Sequence, residues 1–125
     1  MKEGLPDNII KDIEIDKEGT IWLGMEDEGL AIYDEATNKI NQIPSWNFGS
    51  LNNFVIRNKN ELWISTRNQG AIKLDIESTE SYSYKRYTPA NGLIHNQTIS
   101  IFNDYENSIW IAAKDGVSQY TGSFI

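Results

Sequence analysis

The strongest pattern of apolar and small positions in this chain is a four-residue unit that occurs three times. The unit reads aliphatic, Trp, aliphatic, small, and its copies begin at Ile21, Leu62 and Ile109. The three tryptophans are 41 and 47 residues apart, at Trp22, Trp63 and Trp110. A glycine follows each Trp by six or seven residues, and a large residue lies four positions further on, at Tyr33, Leu74 and Tyr120. Agreement at three offsets in three copies indicates an internal repeat.

Between the tryptophan units, short apolar runs alternate with turn residues, which predicts β-strands and little helix. The first copy predicts strands at 9–15, 21–25, 30–33 and 38–43. The second copy predicts strands at 53–56, 62–66, 71–74 and 81–87, and the third at 98–102, 109–113 and 117–120. Turn sequences separate the first three strands of each copy, at 16–19, 26–29, 57–60, 68–70, 104–107 and 114–116.

The second strand of each copy decides the architecture, because it is apolar on both faces. In the first copy Ile21 and Leu23 lie on one face, while Trp22 and Gly24 lie on the other. Such a strand must be covered on both sides, and the stacked blades of a β-propeller provide that cover. A period of about 40 to 50 residues with four strands fits the same fold. The small residue after each Trp leaves room for a large side chain of the neighbouring blade.

The predicted fold is therefore all-β, a partial β-propeller over residues 1–125 made of three four-stranded antiparallel blades. The blades cover about residues 4–44, 45–90 and 91–125, and the last is incomplete because no fourth strand is evident after Tyr120. A complete propeller closes into a ring of about four to eight blades. Either the chain is a fragment of a longer propeller, or short chains assemble into a ring. In both cases we expect self-association, because an open blade face is a large apolar patch.

Composition excludes several functions. The net charge is −7, and 11 basic residues are scattered along the chain, which argues against binding to nucleic acid or to an anionic membrane. The absence of cysteine excludes disulfides, thiolate chemistry and cysteine-based zinc sites. No apolar run reaches the length of about 18 residues that spans a bilayer, and the first residues, Met1-Lys2-Glu3-Gly4, have no apolar h-region, so the sequence predicts no signal peptide. The sequence predicts no cofactor and no metal.

The first copy resembles the two-component regulator propeller repeat. The resemblance lies in the lead-in Gly4-Leu5-Pro6-Asp7-Asn8, the segment Asp16-Lys17-Glu18-Gly19-Thr20-Ile21-Trp22-Leu23-Gly24, Gly29-Leu30 and Tyr33-Asp34. The third copy is similar, with Asn91-Gly92-Leu93-Ile94-His95-Asn96, Asp104, Trp110-Ile111-Ala112 and Gly116-Val117. The second copy departs most, because it has Gly49-Ser50-Leu51-Asn52-Asn53 at the lead-in and Arg57 at the position of Asp16.

The resemblance implies a role in bacterial signalling. Propellers with this repeat are mostly the extracytoplasmic sensor regions of two-component histidine kinases, and many detect glycan fragments. The expected role is thus a non-catalytic ligand-sensing or interaction module on the periplasmic or extracellular side, with a carbohydrate ligand implied by resemblance alone. The alternatives are a protein-interaction scaffold that assembles from short chains, and a propeller lyase or glycosidase fragment. An interaction scaffold could use the segment 77–88, whose alternating Tyr82, Tyr84 and Tyr87 also suit an outer strand.

Several residues are candidates for a binding or catalytic site, and for each of them the sequence favours a structural role. The three repeated tryptophans could stack on sugars, but their apolar neighbours favour a buried core. Trp46 lies in a connection and could be an exposed stacking residue, although packing over the blade is favoured. The acidic turn Glu26-Asp27-Glu28 supplies too few ligand positions for calcium, and His95, the only histidine, has no second histidine with which to share a metal.

The turn from Asp16 to Gly19 also resembles the Asp-box of sialidase propellers, which raises a glycosidase as an alternative. Sialidases need several arginines that converge on a carboxylate. Arg57 lies in a first-to-second strand turn and Arg67 near a second-to-third strand turn, so the two belong to opposite ends of one blade. The sequence therefore identifies no catalytic residue, and it leaves the ligand-binding residues unknown.

Overall fold

The structure is a computed structural model that describes residues 9–125, so the lead-in at residues 4–8 lies outside the described part. Its strands form three antiparallel sheets, each made of strands that are consecutive in sequence. The first sheet contains β1 (Ile10–Ile15), β2 (Ile21–Met25), β3 (Gly29–Asp34) and β4 (Lys39–Gln42). The second contains β5 (Leu51–Asn58), β6 (Glu61–Thr66), β7 (Ala71–Ser78) and β8 (Ser81–Tyr87). The third contains β9 (Thr98–Asn103), β10 (Ile109–Ala113) and β11 (Gly116–Tyr120).

Each sheet is one blade, and the three-stranded third sheet confirms that the last blade is incomplete within residues 9–125. After β11 the chain reverses, and Phe124 forms an isolated bridge with Tyr120. The only helical element among the described residues is a 3₁₀ turn at Pro89–Asn91, in agreement with the predicted low helix content.

The second blade is longer than the sequence pattern predicted. The predicted strand 71–74 continues to Ser78, because Ile76 extends the alternation of Ile72 and Leu74 and is itself buried. The segment 77–88, considered above as an interaction insertion, forms the tip of the β7–β8 hairpin and the outer strand β8. The alternating tyrosines therefore belong to an outer strand.

Blades one and two pack face to face through the tryptophan face of the first. Trp22 is buried in a cluster with Leu51, Phe54 and other apolar residues of the second blade. Gly24 is needed for this approach, because a Cβ at that position would lie 2.9 Å from the Phe54 ring. The small residue after the Trp therefore makes room for the next blade, as the sequence predicted.

Blades two and three repeat the arrangement one step along the chain. Trp63 is fully buried and packs in a cluster with Ile109 and Ile111 of the third blade. Its ring centroid lies 5.1 Å from that of Tyr87 and 4.6 Å from that of Tyr120. The tryptophan face of one blade thus meets the aliphatic face of the next at both interfaces.

The two outermost faces expose apolar side chains. On the first blade Ile13 and Ile15 are 56% and 65% exposed. On the third blade Phe102, which pairs with Trp110, is 60% exposed and Val117 is 59% exposed. Trp110 is only half-buried, so the expectation that all three repeated tryptophans are buried alike is wrong for this one. It occupies the same register as the others, but no described blade packs against its face.

The inner strands are joined by hydrogen bonds from one blade to the next. Asp12 of β1 accepts a hydrogen bond from the backbone N–H of Phe54 at 3.1 Å. At the equivalent position of β5, Asn53 accepts one from the N–H of Ile101 at 3.0 Å and donates one to the Ile101 carbonyl at 3.0 Å. A polar side chain ten residues before the Trp therefore satisfies the backbone of the neighbouring inner strand.

We expect Asn53→Ala to lower the free energy of unfolding by about 1 to 3 kcal/mol, because it leaves the N–H and carbonyl of Ile101 without their partner between two blades. Equilibrium urea denaturation measures the change. The control Asn41→Ala, on the exposed part of β4, should change stability by less than about 0.5 kcal/mol. Equal stability of the two variants would contradict this account of the inner strands.

Candidate functional site

The Asp turns before Trp22 and Trp110 hold the indole ring by a hydrogen bond to its N–H group. Asp16 Oδ1 accepts hydrogen bonds from the N–H groups of Glu18 and Thr20, both at 2.9 Å, and Oδ2 accepts the Trp22 indole N–H at 3.3 Å. The third blade reproduces this arrangement, with a distance of 2.7 Å from the Trp110 Nε1 to Asp104 Oδ2. These bonds lower the pKa of Asp104, with the bond from Trp110 as the largest cause.

The second blade lacks the aspartate but retains the hydrogen bond to its indole. Arg57 stands at the aspartate position, and Glu61 accepts the Trp63 indole N–H at 2.6 Å instead. Arg57 pairs with the same carboxylate at 3.0 Å, and Asn58 donates to it at 3.2 Å. Burial raises the pKa of Glu61, but the hydrogen bonds from Trp63, Arg57 and Asn58 outweigh burial and hold this pKa below its ordinary value. The departure of the second copy is therefore compensated within the same turn.

The Asp turns thus serve to position the tryptophans. Arg57 and Arg67 line two separate clefts at opposite ends of the inner strands. Arg57 is also held in its ion pair with Glu61. The prediction that these two arginines cannot converge is therefore confirmed.

Trp46 packs over the blade rather than standing free. It is half-buried and makes edge-to-face contacts with Phe48 and Tyr84, with ring centroids 5.1 and 6.1 Å apart. Its indole N–H donates to the Gly49 carbonyl at 2.8 Å. Gly29, at φ +77°, allows the close approach, since a Cβ there would lie 2.7 Å from the indole. Trp46 therefore closes the connection between the first two blades.

The aromatic residues of β8 belong to the same packing. The Tyr84 hydroxyl donates to the Pro44 carbonyl at 3.1 Å, and the Tyr82 hydroxyl lies 3.1 Å from that of Ser45. Burial raises the pKa of Tyr84. Tyr87 is buried beside Trp63. Tyr82 and Tyr84 thus hold the connection between the first and second blades, and Tyr87 packs in the interface between the second and third blades.

The other polar candidates have local roles. Asp27 and Glu28 lie 3.5 and 3.3 Å from Ser50 and Gln42 as hydrogen-bond partners. His95 Nδ1 accepts the N–H of Gln97 at 2.9 Å, two residues further along the chain. Within residues 9–125, no group of three or more acidic, histidine or cysteine side chains is placed to hold a metal ion.

Two clefts lie at opposite ends of the inner strands, and the first has mixed charge. It has a volume of about 850 Å³ and lies where the first-to-second strand turns of the three blades meet. Its basic residues face acidic ones: Arg57 pairs with Glu61, and Lys59 lies 3.2 Å from Glu18. Burial, followed by the nearby charge of Asp12, raises the pKa of Glu14 in this cleft. We name it the turn-end cleft.

The second cleft has a volume of about 690 Å³ and is basic. No carboxylate is among the described residues that line it, which are Lys11, Asn52, Arg67, Asn68, Gln97, Thr98, Ile99 and Lys114. A β-bulge occurs in each inner strand at this end, and the bulged residue lies eleven positions before the Trp in every blade, at Lys11, Asn52 and Ile99. A bulge re-aims its side chain, and here the three bulged residues line one opening. We name it the bulge-end cleft.

Two further residues of the bulge-end cleft are also equivalent in the repeat. Arg67 and Lys114 are the fourth residues after their tryptophans, and each begins the turn from the second to the third strand. Their backbone N–H groups donate to Ser50 and Gln97 carbonyls at 2.9 and 3.0 Å. None of the residues in this cleft, apart from Arg67, was singled out from the sequence. The sequence signal that identifies them is their position relative to the repeated tryptophans, eleven residues before or four residues after. This signal is useful only when a bulge is expected in each inner strand.

Comparison with protein families confirms the resemblance over the first repeat. Residues 4–27 match the model of the two component regulator propeller family. This range contains the lead-in, the inner strand and the Asp turn with Trp22. No match was found among curated proteins.

Comparison with solved structures confirms the fold. The extracellular domain of the hybrid two component system BT3049 from B. thetaiotaomicron matches with a TM-score of 0.80 at 18% identity, over 97% of this chain and 17% of that one. The corresponding domain of BT4673 from the same organism matches at 0.76 and 23% identity, over 92% of this chain and 17% of that one. PorZ from Porphyromonas gingivalis, a surface component of the type-IX secretion system, matches with a TM-score of 0.66 at 19% identity, over 93% of this chain and 20% of that one.

These matches establish all-β propeller blades for this chain, which spans about a fifth or less of the length of each of these solved structures. Within the part of the chain that the structure describes, no helix has the length and apolar character needed to cross a membrane.

We expect Glu61→Gln to lower the free energy of unfolding at pH 7 by about 1.5 kcal/mol, because it removes a charge that three donors stabilise. The pKa of Glu61 is lower in the folded chain than its ordinary 4.5. The stability it contributes is therefore present above pH 4.5 and is lost as the pH falls through the folded pKa. Urea denaturation between pH 7 and pH 3 should show the two proteins converging.

The control for this prediction is Glu80→Gln, which changes an exposed carboxylate in the β7–β8 turn. It should leave the stability close to that of the unchanged protein across the same pH range. A constant difference between the unchanged protein and Glu61→Gln down to pH 3 would show that the charge of Glu61 has no stabilising role.

Proposed function

We propose that this chain is part of the extracytoplasmic sensor propeller of a two-component regulatory system and that it binds a ligand without transforming it. The observation that carries the proposal is the family match of residues 4–27. The likeness to the extracellular domain of BT3049, which is described as part of a hybrid two component system, supports it, as does the likeness to that of BT4673, which is described both as a one component and as a hybrid two component system. The position of the chain on the periplasmic or extracellular side is part of the same proposal.

The absence of a catalytic role rests on what the polar groups do. Asp16, Asp104 and Glu61 are engaged by indole and backbone N–H groups, and Arg57 is paired. A general acid or base needs access to the proton that it transfers, whereas these carboxylates are committed to holding the blades. A carbohydrate is the ligand class that we propose, on the basis of the family resemblance.

Binding without turnover can be measured directly. We expect a panel of neutral and acidic oligosaccharides to include one or more that shift amide signals in ¹⁵N–¹H spectra of the labelled protein, at residues of one cleft. Chromatography of the same samples after prolonged incubation should recover every oligosaccharide unchanged. New cleavage or elimination products that increase with protein concentration would overturn the non-catalytic assignment, and an unresponsive spectrum with the whole panel would overturn the carbohydrate assignment.

A second proposal concerns association with a second copy through the open blade faces. The supporting observation is the exposure of Phe102 and Val117 on one outer face and of Ile13 and Ile15 on the other. The first face carries the Trp110 side of its blade, and the other carries the aliphatic side. These are the two kinds of surface that pack together at both internal interfaces. A head-to-tail contact between copies would therefore continue the blade stack.

We expect the molar mass from light scattering to rise with protein concentration, because this contact buries both apolar faces. The double variant Phe102→Ser, Val117→Ser should weaken the association at least about tenfold, which corresponds to about 1.4 kcal/mol. The matched control is Tyr105→Ser, because Tyr105 is 98% exposed but lies in the β9–β10 turn. Monomer mass at all concentrations, or equal weakening by the control, would contradict the proposal.

A further inference from the structure

The bulge-end cleft collects cations that have no acidic partner in the described structure. Lys11, Arg67 and Lys114 line the opening, and none of them forms an ion pair with a carboxylate of residues 9–125. Lys17, Lys39, Lys85 and Arg86 also form no ion pair among the described residues, so what distinguishes this cleft is that three such cations line one opening without a carboxylate. Elsewhere, basic side chains such as Arg57, Lys59 and Lys73 do pair with carboxylates.

Each cation comes from a different blade and stands on fixed backbone. Lys11 is the bulged residue of the first inner strand, and Arg67 and Lys114 begin equivalent turns of the second and third blades. Below them the buried Thr98 hydroxyl donates to the Thr66 carbonyl at 2.6 Å and accepts the Thr66 N–H at 2.9 Å. The positions of the three charges therefore follow from the stacking of the blades.

Apart from the exposed Ile99, the lining between the cations consists of neutral hydrogen-bonding groups. The Asn52 amide donates to the Thr98 carbonyl at 2.7 Å, and the Gln97 amide lies 3.3 Å from Asn68 Oδ1, so the side chains are oriented by one another. Asn68 and Gln97 are exposed at the mouth of the cleft. Amides in this position can hydrogen-bond hydroxyl groups of a ligand, while cations neutralise its charge.

Like charges gathered in one opening repel each other, and a bound anion relieves that repulsion. A guanidinium group with two ammonium groups suits the oxygens of a carboxylate or a sulfate, since the guanidinium can donate two parallel hydrogen bonds. Three cations in a chain of net charge −7 are too few to follow a nucleic-acid backbone. The cleft therefore matches a compact oxyanion carried by a small ligand.

We propose that the bulge-end cleft is an oxyanion-binding site formed jointly by the three blades, with Lys11, Arg67 and Lys114 as its cationic groups. The site takes the carboxylate or sulfate group of a ligand, and Asn68 and Gln97 bind neighbouring hydroxyl groups. The inference deepens the proposed function, because it names the ligand class as acidic, and it rests on that function for its role in sensing.

The test compares D-glucuronate with D-glucose, because the two sugars differ at C6, where only the first has a carboxylate. We expect glucuronate, titrated into the labelled protein at low ionic strength, to shift the amide signals of residues 66–70, 96–99 and 113–115, and glucose to leave them unchanged. Added sodium chloride should weaken the binding, since the interaction is between exposed charges. Inorganic sulfate and acetate form two further arms of the titration.

The variants Arg67→Gln and Lys114→Gln should each raise the dissociation constant of glucuronate by about tenfold, because each removes one charge-assisted contact. The control is Lys39→Gln, which makes the same charge change on the exposed outer strand β4 and should leave the dissociation constant within twofold. Far-ultraviolet circular dichroism of each variant verifies the fold. A variant that unfolds is replaced by Arg67→Lys or Lys114→Arg, which should retain binding.

The titrations with glucuronate, sulfate and acetate answer two separate questions. One is whether the site exists, and the other is whether its anion belongs to a sugar or is a free ion. Glucuronate that binds more tightly than sulfate and acetate supports an acidic sugar, and equal binding of all three supports a free oxyanion. Signals that do not move with any anion, or that move in Arg67→Gln and Lys114→Gln at the same anion concentrations as in the unchanged protein, would overturn the site. Neutral oligosaccharides binding at the turn-end cleft alone would overturn it and leave the sensor function standing. Sulfate binding with no response to any sugar would instead contradict the carbohydrate sensor and retain the site.

Discussion

The structure depends on one contact, the packing of the tryptophan face of each blade against the aliphatic face of the next. Trp63 is completely buried in this contact, and loss of such a side chain costs about 3 to 5 kcal/mol in a typical core. Because a central strand is covered from both sides, it is apolar on both faces, and the four-residue unit follows from that requirement. Gly24 shows how closely the blades approach, since its position has no room for a Cβ beside Phe54.

The polar groups of the repeat serve the same packing. An indole N–H on a blade face that is covered by apolar groups needs an acceptor. Asp16 provides one for Trp22 and Asp104 provides one for Trp110, and both aspartates also order their turns. The second blade shows that the acceptor matters more than its place in the sequence, because Glu61 performs the task from a different position. Between the inner strands, Asp12 and Asn53 satisfy backbone groups of the adjacent blade. The repeat thus combines apolar blade faces with polar side chains that accept hydrogen bonds from the indole and backbone N–H groups of those blades.

The same stacking creates the surface on which function is proposed. Inner strands that lie side by side bring their bulges to one end, so residues distant in sequence line a common cleft. The fold alone does not assign this cleft to sensing, because PorZ, a secretion-system component, has a similar fold at 19% identity. The family match over the first repeat favours the sensor, and the chemistry of Lys11, Arg67 and Lys114 favours an acidic ligand for it.

The sequence by itself determined the repeat, the strand order, the three strands of the third blade within residues 9–125 and the packing role of Trp22 and Trp63, because local alternation and the Trp spacing report directly on which faces are covered. It could not show that Trp110 is less completely buried than the other two, because this depends on whether another blade packs against it. It also did not reveal Glu61 as a substitute acceptor or the bulge-end cleft. Both arise from contacts between side chains whose proximity is decided by hairpin register and by the stacking of separate blades, which only the tertiary structure sets.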